Sequence, residues 1–301
     1  MSVLIHYNHC PACNAEQIHP ALSAIDYTVS KQPFAIWHCD GCSFRFTQDI
    51  PDINTIGSYY QSNSYVSHSD TKEGLINQLY HLVRNYTLGT KSRLIQRVTG
   101  LSAGTILDIG AGTGAFANAM QAKAWKVTGL EPDASARMQA EKNYGINLII
   151  PNSIDQLENN YFNAITLWHV LEHVHDLAGY WQQFSRLIAP NGKLVIAVPN
   201  YTSSDAEHYG AYWAAYDVPR HLYHFSPASM EKLALQHGFR LVKLQPMWFD
   251  SFYVSMLSET YQNGKSNLLA ACWQGLKSNF KALFDNRECS SVIYVFEKIA
   301  A

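Results

Sequence analysis

No stretch of the 301-residue sequence reaches about 18 uninterrupted apolar residues, and the N-terminal MSVLIHYNHC has no basic segment ahead of an apolar run. Neither a membrane span nor a secretion signal is therefore expected, and a cytoplasmic location follows. Charge is sparse as well: Asp, Glu, Lys and Arg make up 15% of the chain, the formal net charge is -2, and no long Lys/Arg block occurs. That balance indicates no nucleic-acid or membrane-surface partner. Internal repeats and low-complexity tracts are also lacking. What is present, 47% hydrophobic residues over this length, suffices for a substantial core in one large domain with smaller attachments.

Cysteines are few but unevenly placed. Cys10, Cys13, Cys39 and Cys42 form two C-x-x-C pairs, while Cys272 and Cys289 stand far away. Two residues between sulfurs let one tight turn present both to one ion, so this is metal spacing, and a reducing compartment would leave four thiolates for a tetrahedral Zn²⁺. Residues 1–50, with β-prone runs around Phe34 to Trp37 and Phe44 to Thr47, read as a small zinc ribbon. So short a segment cannot build its own core, and metal ligation would supply the missing folding free energy. Four protein ligands leave zinc no open position, which points to a structural ion.

Residues 51–100 read as a lid loop rich in Ser, Asn and Tyr, followed by linking helices. Leu75, Ile76, Leu79, Leu82, Val83 and Tyr86 recur at helical spacing, and Leu94, Ile95 and Val98 continue the face toward Gly100. From Thr105 onward strand and helix patterns alternate: TILDIG, KVTGLE, NLII, AITLW, KLVIAV and RLVKLQ are the strands. The expected fold class is α/β, a Rossmann-like, seven-stranded, mostly parallel sheet with helices on both faces, plus the N-terminal ribbon. A late helical insertion at about 253–284 precedes SSVIYVFEKI, which suits a reversed last strand, so residues 101–301 form the main domain.

The loop ILDIGAGTG fits two cofactors. Gly110, Gly112 and Ala115 match the dinucleotide pattern G-x-G-x-x-G/A, whereas Asp108, Gly110, Gly112 and Gly114 match an acidic-x-G-x-G-x-G pattern suited to S-adenosylmethionine. Beside a helix N-terminus that would otherwise meet a pyrophosphate, the Asp108 carboxylate repels phosphate and attracts a methionyl ammonium. Glu131, in GLEP about twenty residues on, can accept from ribose hydroxyls of either cofactor.

With ILDIGAGTG, GLEP, the fourth strand in FNAITLWHVLEHVHDL and the fifth in APNGKLVIAVPN in this order and at these intervals, the chain resembles the class I S-adenosylmethionine-dependent methyltransferases over roughly residues 100–240. DVPRHLYHFSPASMEKLALQHGF further resembles a bacterial subgroup that includes proteins with an N-terminal cysteine ribbon. Asn163 departs from that pattern, where Asp is frequent. The resemblance implies that Asp108, Gly110, Ala111, Gly112 and Gly114 hold the methionyl part and Glu131 and Pro132 flank the ribose. It also places Asn152, Ser153 and Ile154 beside the adenine, and Trp168 and His169 at the sulfonium end. The function it implies is methyl transfer to a small-molecule acceptor such as a sugar, a glycan precursor or a phenolic or quinone-like metabolite. Two other readings stand beside it: a non-catalytic protein that keeps the cofactor fold and binds partners through the ribbon, and an NAD(P)-dependent oxidoreductase.

In-line displacement at a sulfonium needs alignment and exclusion of water, plus a base where the acceptor is a hydroxyl. The candidates are His169, in HVLEHVH, and His221 and His224, in PRHLYHF. HVLEHVH also spells H-x-x-E-H, a zinc-hydrolase string, but falls where the methyltransferase pattern expects LEHV. It further resembles an E-x-x-E-H segment at which some quinone O-methyltransferases use a divalent ion, with His169 in place of the first Glu. Arg220 either clamps an acidic substrate or pairs with Asp217 to tie a lid. Ser226 and Pro227 read as the N-cap and first position of a helix. The late helices are apolar enough to cover a pocket or to form a homodimer face.

Overall fold

The computed structural model describes residues 4–61, 75–265 and 267–299. The expected lid at 51–70 is described only to Gln61, where it includes a 3₁₀ turn at Ile56–Tyr60, and from residue 62 on it lies outside these residues, as do the side chains of Leu75, Ile76, Leu79 and Leu82.

The N-terminal region is β1 (Leu4–Ile5), β2 (Ile18–Ile25), β3 (Pro33–Cys39), β4 (Arg45–Thr47) and β5 (Ile50–Pro51). Strands β2, β3 and β4 form an antiparallel meander, and β1 pairs with β5. Each C-x-x-C pair sits on a turn. Asn14 and Ser43, one residue past Cys13 and Cys42, both take positive φ (59°), which folds the chain back so that paired sulfurs face one point.

The linking segment forms α1 (Leu75–Thr99), which stops at Gly100 (φ 72°). The main domain then runs β6 (Thr105–Ile109), α2 (Ala115–Gln121), β7 (Lys126–Leu130), α3 (Ala134–Tyr144), β8 (Phe162–Trp168), α4 (Leu177–Leu187) and β9 (Ile188–Pro199). It closes with α5 (Ser204–Tyr209), β10 (Tyr223–His224), α6 (Pro227–Gln236), β11 (Phe239–Pro246), α7 (Asp250–Asn263), α8 (Leu268–Phe284) and β12 (Ser291–Lys298). Sheet order is β11-β12-β9-β8-β6-β7, with β7, β6, β8 and β9 parallel and β12 antiparallel to both neighbours. The reversed last strand is therefore observed. Where NLII is expected as the third of seven strands, the sheet has six among the described residues, and a single parallel bridge joins Leu130 to Ile149. Pro151 has no N–H to extend that ladder, and the chain turns into a 3₁₀ helix at Pro151–Gln156.

The middle strands are apolar on both faces because helices cover both. Leu107, Ile109, Ile165, Leu167, Leu194, Ile196 and Val198 join one core with Trp181 and Phe184 of α4, and Ile106, Ala164, Val195 and Ala197 join another with α1 and α2. Pro190, Asn191 and Gly192 lie within β9 as an irregularity: Asn191 has φ 64° and the register against β8 shifts there. Ser226 caps α6 by accepting from Ser229 N, with Pro227 first in the helix, as expected.

The ribbon does not stand apart. β10, from the PRHLYHF stretch, pairs antiparallel with β4, so the ribbon sheet has the order β10-β4-β3-β2. Phe44 and Phe46 of the ribbon pack with Tyr223 and Phe225 in the main core.

Candidate active site

The crevice lies at the carboxyl ends of β6, β7 and β8, where ligands bind in open α/β sheets. Asp108 is buried at the end of β6 and accepts from Thr166 Oγ1 at 2.7 Å. Burial raises its pKa to about 7, against the lowering pull of Thr166 and of Lys91. Gly110 needs its glycine twice over: φ is 69°, and a Cβ would lie 2.3 Å from Val170 Cγ2. Gly112 also has positive φ (53°), but a Cβ there would meet nothing within 4 Å, so its backbone borders open space. Gly110 N and Ala111 N donate to Leu130 O, and Gly114 caps α2.

Glu131 braces this loop. Its Oε2 accepts from Gly112 N (2.7 Å) and its Oε1 from Asp133 N (2.9 Å), leaving each oxygen one free lone pair. Arg137 Nη1 donates to the carbonyls of Glu131 and Pro132. Asn152, Ser153 and Ile154 lie on the 3₁₀ helix after the Ile149 bridge, with Ile154 O held by Arg186.

At the end of β8 the site contains residues that sequence reasoning missed. Lys91 of α1 holds its ammonium 4.3 Å from the Trp168 ring centre, and Asp108 and Asp250 oppose the lowering of its pKa by burial. Trp168 Nε1 is buried and finds no hydrogen-bond partner among the described residues. His169 takes positive φ (57°); its Nε2 lies 2.9 Å from Asp250 Oδ2 and its Nδ1 3.5 Å from Glu172 Oε1. Burial alone would lower its pKa, but Asp250 and Glu172 raise it to about 10. At neutral pH His169 is protonated, which is the wrong state for the general base expected of it.

Beyond His169, a 3₁₀ turn at Leu171–His173 brings Glu172 and His173 against His221. One ligand atom from each lies within 4.8 Å of the others. Glu172 is fully buried, and neither carboxylate oxygen finds a hydrogen bond among the described residues. His173 Nδ1 sits 3.0 Å from both Arg220 O and Tyr60 Oη, and His221 Nδ1 is 2.8 Å from Ala215 O. Donation of Nδ1–H to Arg220 O leaves His173 Nε2 with its lone pair, and His221 Nε2 lies 4.0 Å from Asp217 Oδ2. Burial, and then His221, lower the pKa of His173 to about 4, so it stays neutral.

The other two candidates of PRHLYHF belong to the framework. His224 is buried on β10 with Nε2 3.1 Å from Thr47 Oγ1, and burial holds its pKa well below the usual value. Arg220 is fully buried and spends its donors on the protein: Asp217 through Nε and Nη2, Asp26 Oδ1 (3.0 Å), Thr28 Oγ1 (2.8 Å) and Tyr59 O (2.9 Å). It ties the β2–β3 turn to the segment before β10 and has no fork left for a substrate. Asn163 likewise serves the sheet, accepting from Thr105 N at 2.9 Å.

The four ribbon cysteines converge, with Cys10 and Cys42 Sγ 3.6 Å apart and Cys13 and Cys39 Sγ 3.6 Å apart. A disulfide would require about 2.05 Å. The edge of a tetrahedron with Zn–S of about 2.3 Å is roughly 3.8 Å, so the donor set and its size fit zinc. Beside the first knuckle, a groove of about 580 Å³ runs along α4 and α6, away from the glycine loop.

The family profile described as a methyltransferase domain matches residues 83–244. Among curated relatives, the ubiquinone biosynthesis O-methyltransferase of Serratia proteamaculans is 30% identical over 115 residues, 36% of this chain and 47% of that protein. The Pseudomonas paraeruginosa protein of the same name is 30% identical over 113 residues, 35% and 49% of the two chains. The chain thus spans about half the length of the curated relatives it matches. A solved geranyl diphosphate C-methyltransferase from Streptomyces coelicolor superposes with a TM-score of 0.50 at 12% identity, covering 79% of this chain and 90% of that one. A Galdieria sulphuraria methyltransferase gives 0.51 at 14% identity, with 74% and 88% covered. At these identities the structures speak to the fold alone.

Proposed function

The chain belongs to the methyltransferase-domain family, and from that premise we propose that it transfers a methyl group from S-adenosylmethionine to a small-molecule acceptor. The observation that carries the choice of cofactor is buried Asp108 at the mouth of a glycine loop: a pyrophosphate would meet a carboxylate there, whereas an ammonium would be welcomed. S-adenosylmethionine, when bound, supplies the electrophilic methyl. Asp108 receives the methionyl ammonium, and Lys91 can receive the methionyl carboxylate. The free lone pairs of Glu131 take the ribose hydroxyls, Asn152, Ser153 and Ile154 border the adenine, and Trp168 borders the sulfonium end.

His169, held protonated by Asp250, shapes the sulfonium end through charge and position. Proton removal from an acceptor falls to the histidines beside Glu172: His173, which burial keeps neutral, and His221, whose Nδ1 is anchored on Ala215 O and whose Nε2 lies 4.0 Å from Asp217 Oδ2. A divalent cation on Glu172, His173 and His221 is a second reading, favoured by the buried Glu172 carboxylate, which has no hydrogen bond among the described residues and only His169 Nδ1 at 3.5 Å as an ion-pair partner. The names of the curated relatives lead us to favour a phenolic or quinone-like acceptor. The ribbon takes one structural Zn²⁺ on Cys10, Cys13, Cys39 and Cys42.

Calorimetric titration with S-adenosylhomocysteine and with NAD(P) tests the reading: heat with the former and none with the latter is expected. Heat with the dinucleotide alone overturns it. Metal analysis of protein purified without added metal separates the second reading, since the ribbon alone predicts about one equivalent of zinc.

A further inference from the structure

Helix α8 is amphipathic the wrong way round. Toward the protein it turns Ala271, Gln274, Gly275, Ser278 and Ala282, of which Gln274 Nε2 donates to Ser204 O and Ser278 Oγ to Asp205 Oδ1. Gly275 lets the ring of Phe252 on α7 close in, since a Cβ there would lie 2.7 Å from Phe252 Cδ1. Toward the outside it turns Leu269 (85% exposed), Trp273 (72%), Leu276 (55%), Phe280 (62%) and Leu283 (67%), flanked by Leu268 and Phe284. With roughly 150–250 Å² for each large aromatic and somewhat less for each leucine, this face exposes on the order of 800 Å² of apolar surface. The largest apolar patch of an ordinary monomer is about 300–600 Å². A stable interface takes about 800 Å² from each partner.

We propose that this face binds the same face of a second copy of the chain, with the two α8 helices antiparallel and the two-fold axis near Leu276. The row 269, 273, 276, 280, 283 advances by four, three, four and three residues, the narrow 3.5-residue seam of paired helices. It also reads Leu, aromatic, Leu, aromatic, Leu from either end. A two-fold contact requires a surface to be its own complement. Antiparallel pairing about Leu276 sets Leu269 against the partner's Leu283, Trp273 against the partner's Phe280, and Leu276 against the partner's Leu276. A lipid surface is the less suited occupant: α8 carries two charges, Lys277 and Lys281, and its apolar row is narrow, whereas interfacial helices have a polar face rich in Lys and Arg.

Sedimentation equilibrium on the full chain should give twice the 33.9 kDa monomer mass. Leu276→Asp and Trp273→Glu should each reduce it to the monomer mass while the far-ultraviolet circular dichroism stays unchanged, because neither side chain packs into the fold of its own chain, and the melting temperature should lose its dependence on protein concentration. Register has its own readout. In a Cys272→Ser background, Leu276→Cys should link to itself through a short bis-maleimide. Leu269→Cys should not, and Leu269→Cys combined with Leu283→Cys should. A monomer mass for the unaltered protein, a dimer that survives Leu276→Asp, or self-linking of Leu269→Cys alone each overturns the proposal. So does a monomer that binds phosphatidylglycerol vesicles and loses that binding in Leu276→Asp, which would assign the face to lipid.

Discussion

Replacing Asp26 by Asn would test how the ribbon is fastened to the catalytic domain. Asp26 is fully buried and accepts from the backbone N–H groups of Thr28, Val29 and Ser30, from Ser30 Oγ, and from Arg220 Nη2 at 3.0 Å. Breaking one partner of a buried ion pair costs about 3–5 kcal/mol, because the remaining charge is left without compensation. Arg220 keeps its contacts to Asp217, which places the expected loss near the lower end, about 3 kcal/mol. At about 2.1 cal/mol/K of unfolding entropy per residue, that is a fall of about 5 °C in melting temperature for 301 residues, read by differential scanning calorimetry on zinc-loaded protein. The pH dependence follows from the carboxyl group itself. Burial pushes its pKa up, but the N–H donors of Ser30 and Val29 and the charge of Arg220 outweigh that and hold it below the usual value. Its stabilisation is thus present above about pH 3.9 and is lost as pH falls through the lower folded-state value. The gap between wild type and Asp26→Asn should accordingly close in acid. Asp26→Asn combined with Arg220→Met should cost less than the sum of the two single changes, since the stranded charge is gone. A melting temperature within about 2 °C of wild type for Asp26→Asn would refute the fastening role of this contact.

Three further outcomes are expected. Affinity for S-adenosylhomocysteine should weaken about tenfold per pH unit below about 7, as Asp108 takes up a proton, and Asp108→Asn should bind weakly at every pH; titration calorimetry from pH 5.5 to 8.5 checks both. Because the folded-state pKa of His169 is raised to about 10, its ion pair contributes fully below about pH 6.5 and is lost as pH rises through 10. Asp250→Asn should therefore flatten the fall in stability between those limits, and urea denaturation at pH 6, 8 and 10 would expose the error if both proteins decline in parallel. Cys10→Ser should lower zinc from about one equivalent to well under half and destabilise the whole chain; elemental analysis with a thermal melt is the measurement, and an unchanged zinc content would end the ribbon reading.

The sequence made some of this legible and hid the rest for physical reasons. Strands β6, β8 and β9 are apolar on both faces and announce a covered parallel sheet, and the spacing of Asp108 to Gly114 announces the loop that follows β6. The cysteine pairs are local motifs, read directly. By contrast, Lys91 sits in a helix 17 residues before Asp108, and Asp250 opens a helix at the far end of the chain. Each enters the site only through tertiary packing, with no local pattern to mark it. The same holds for Asp26, whose partner Arg220 is 194 residues away. His169, His221 and His224 look alike as isolated letters. Asp250 makes the first a cation, a backbone carbonyl orients the second, and Thr47 and burial retire the third.

The pairing of β10 with β4 also fixes an order of events during synthesis. The knuckles are complete once Cys42 has left the ribosome, but the strand that finishes their sheet lies 177 residues beyond β4, as in the contact of Thr47 with His224. At about 5–20 residues per second, that strand arrives roughly 10–35 s later. Through that interval the edge of the nascent ribbon sheet has no neighbour; with the zinc proposed above on the four cysteines, zinc supply during translation should govern the yield of folded protein more strongly than zinc supply afterwards.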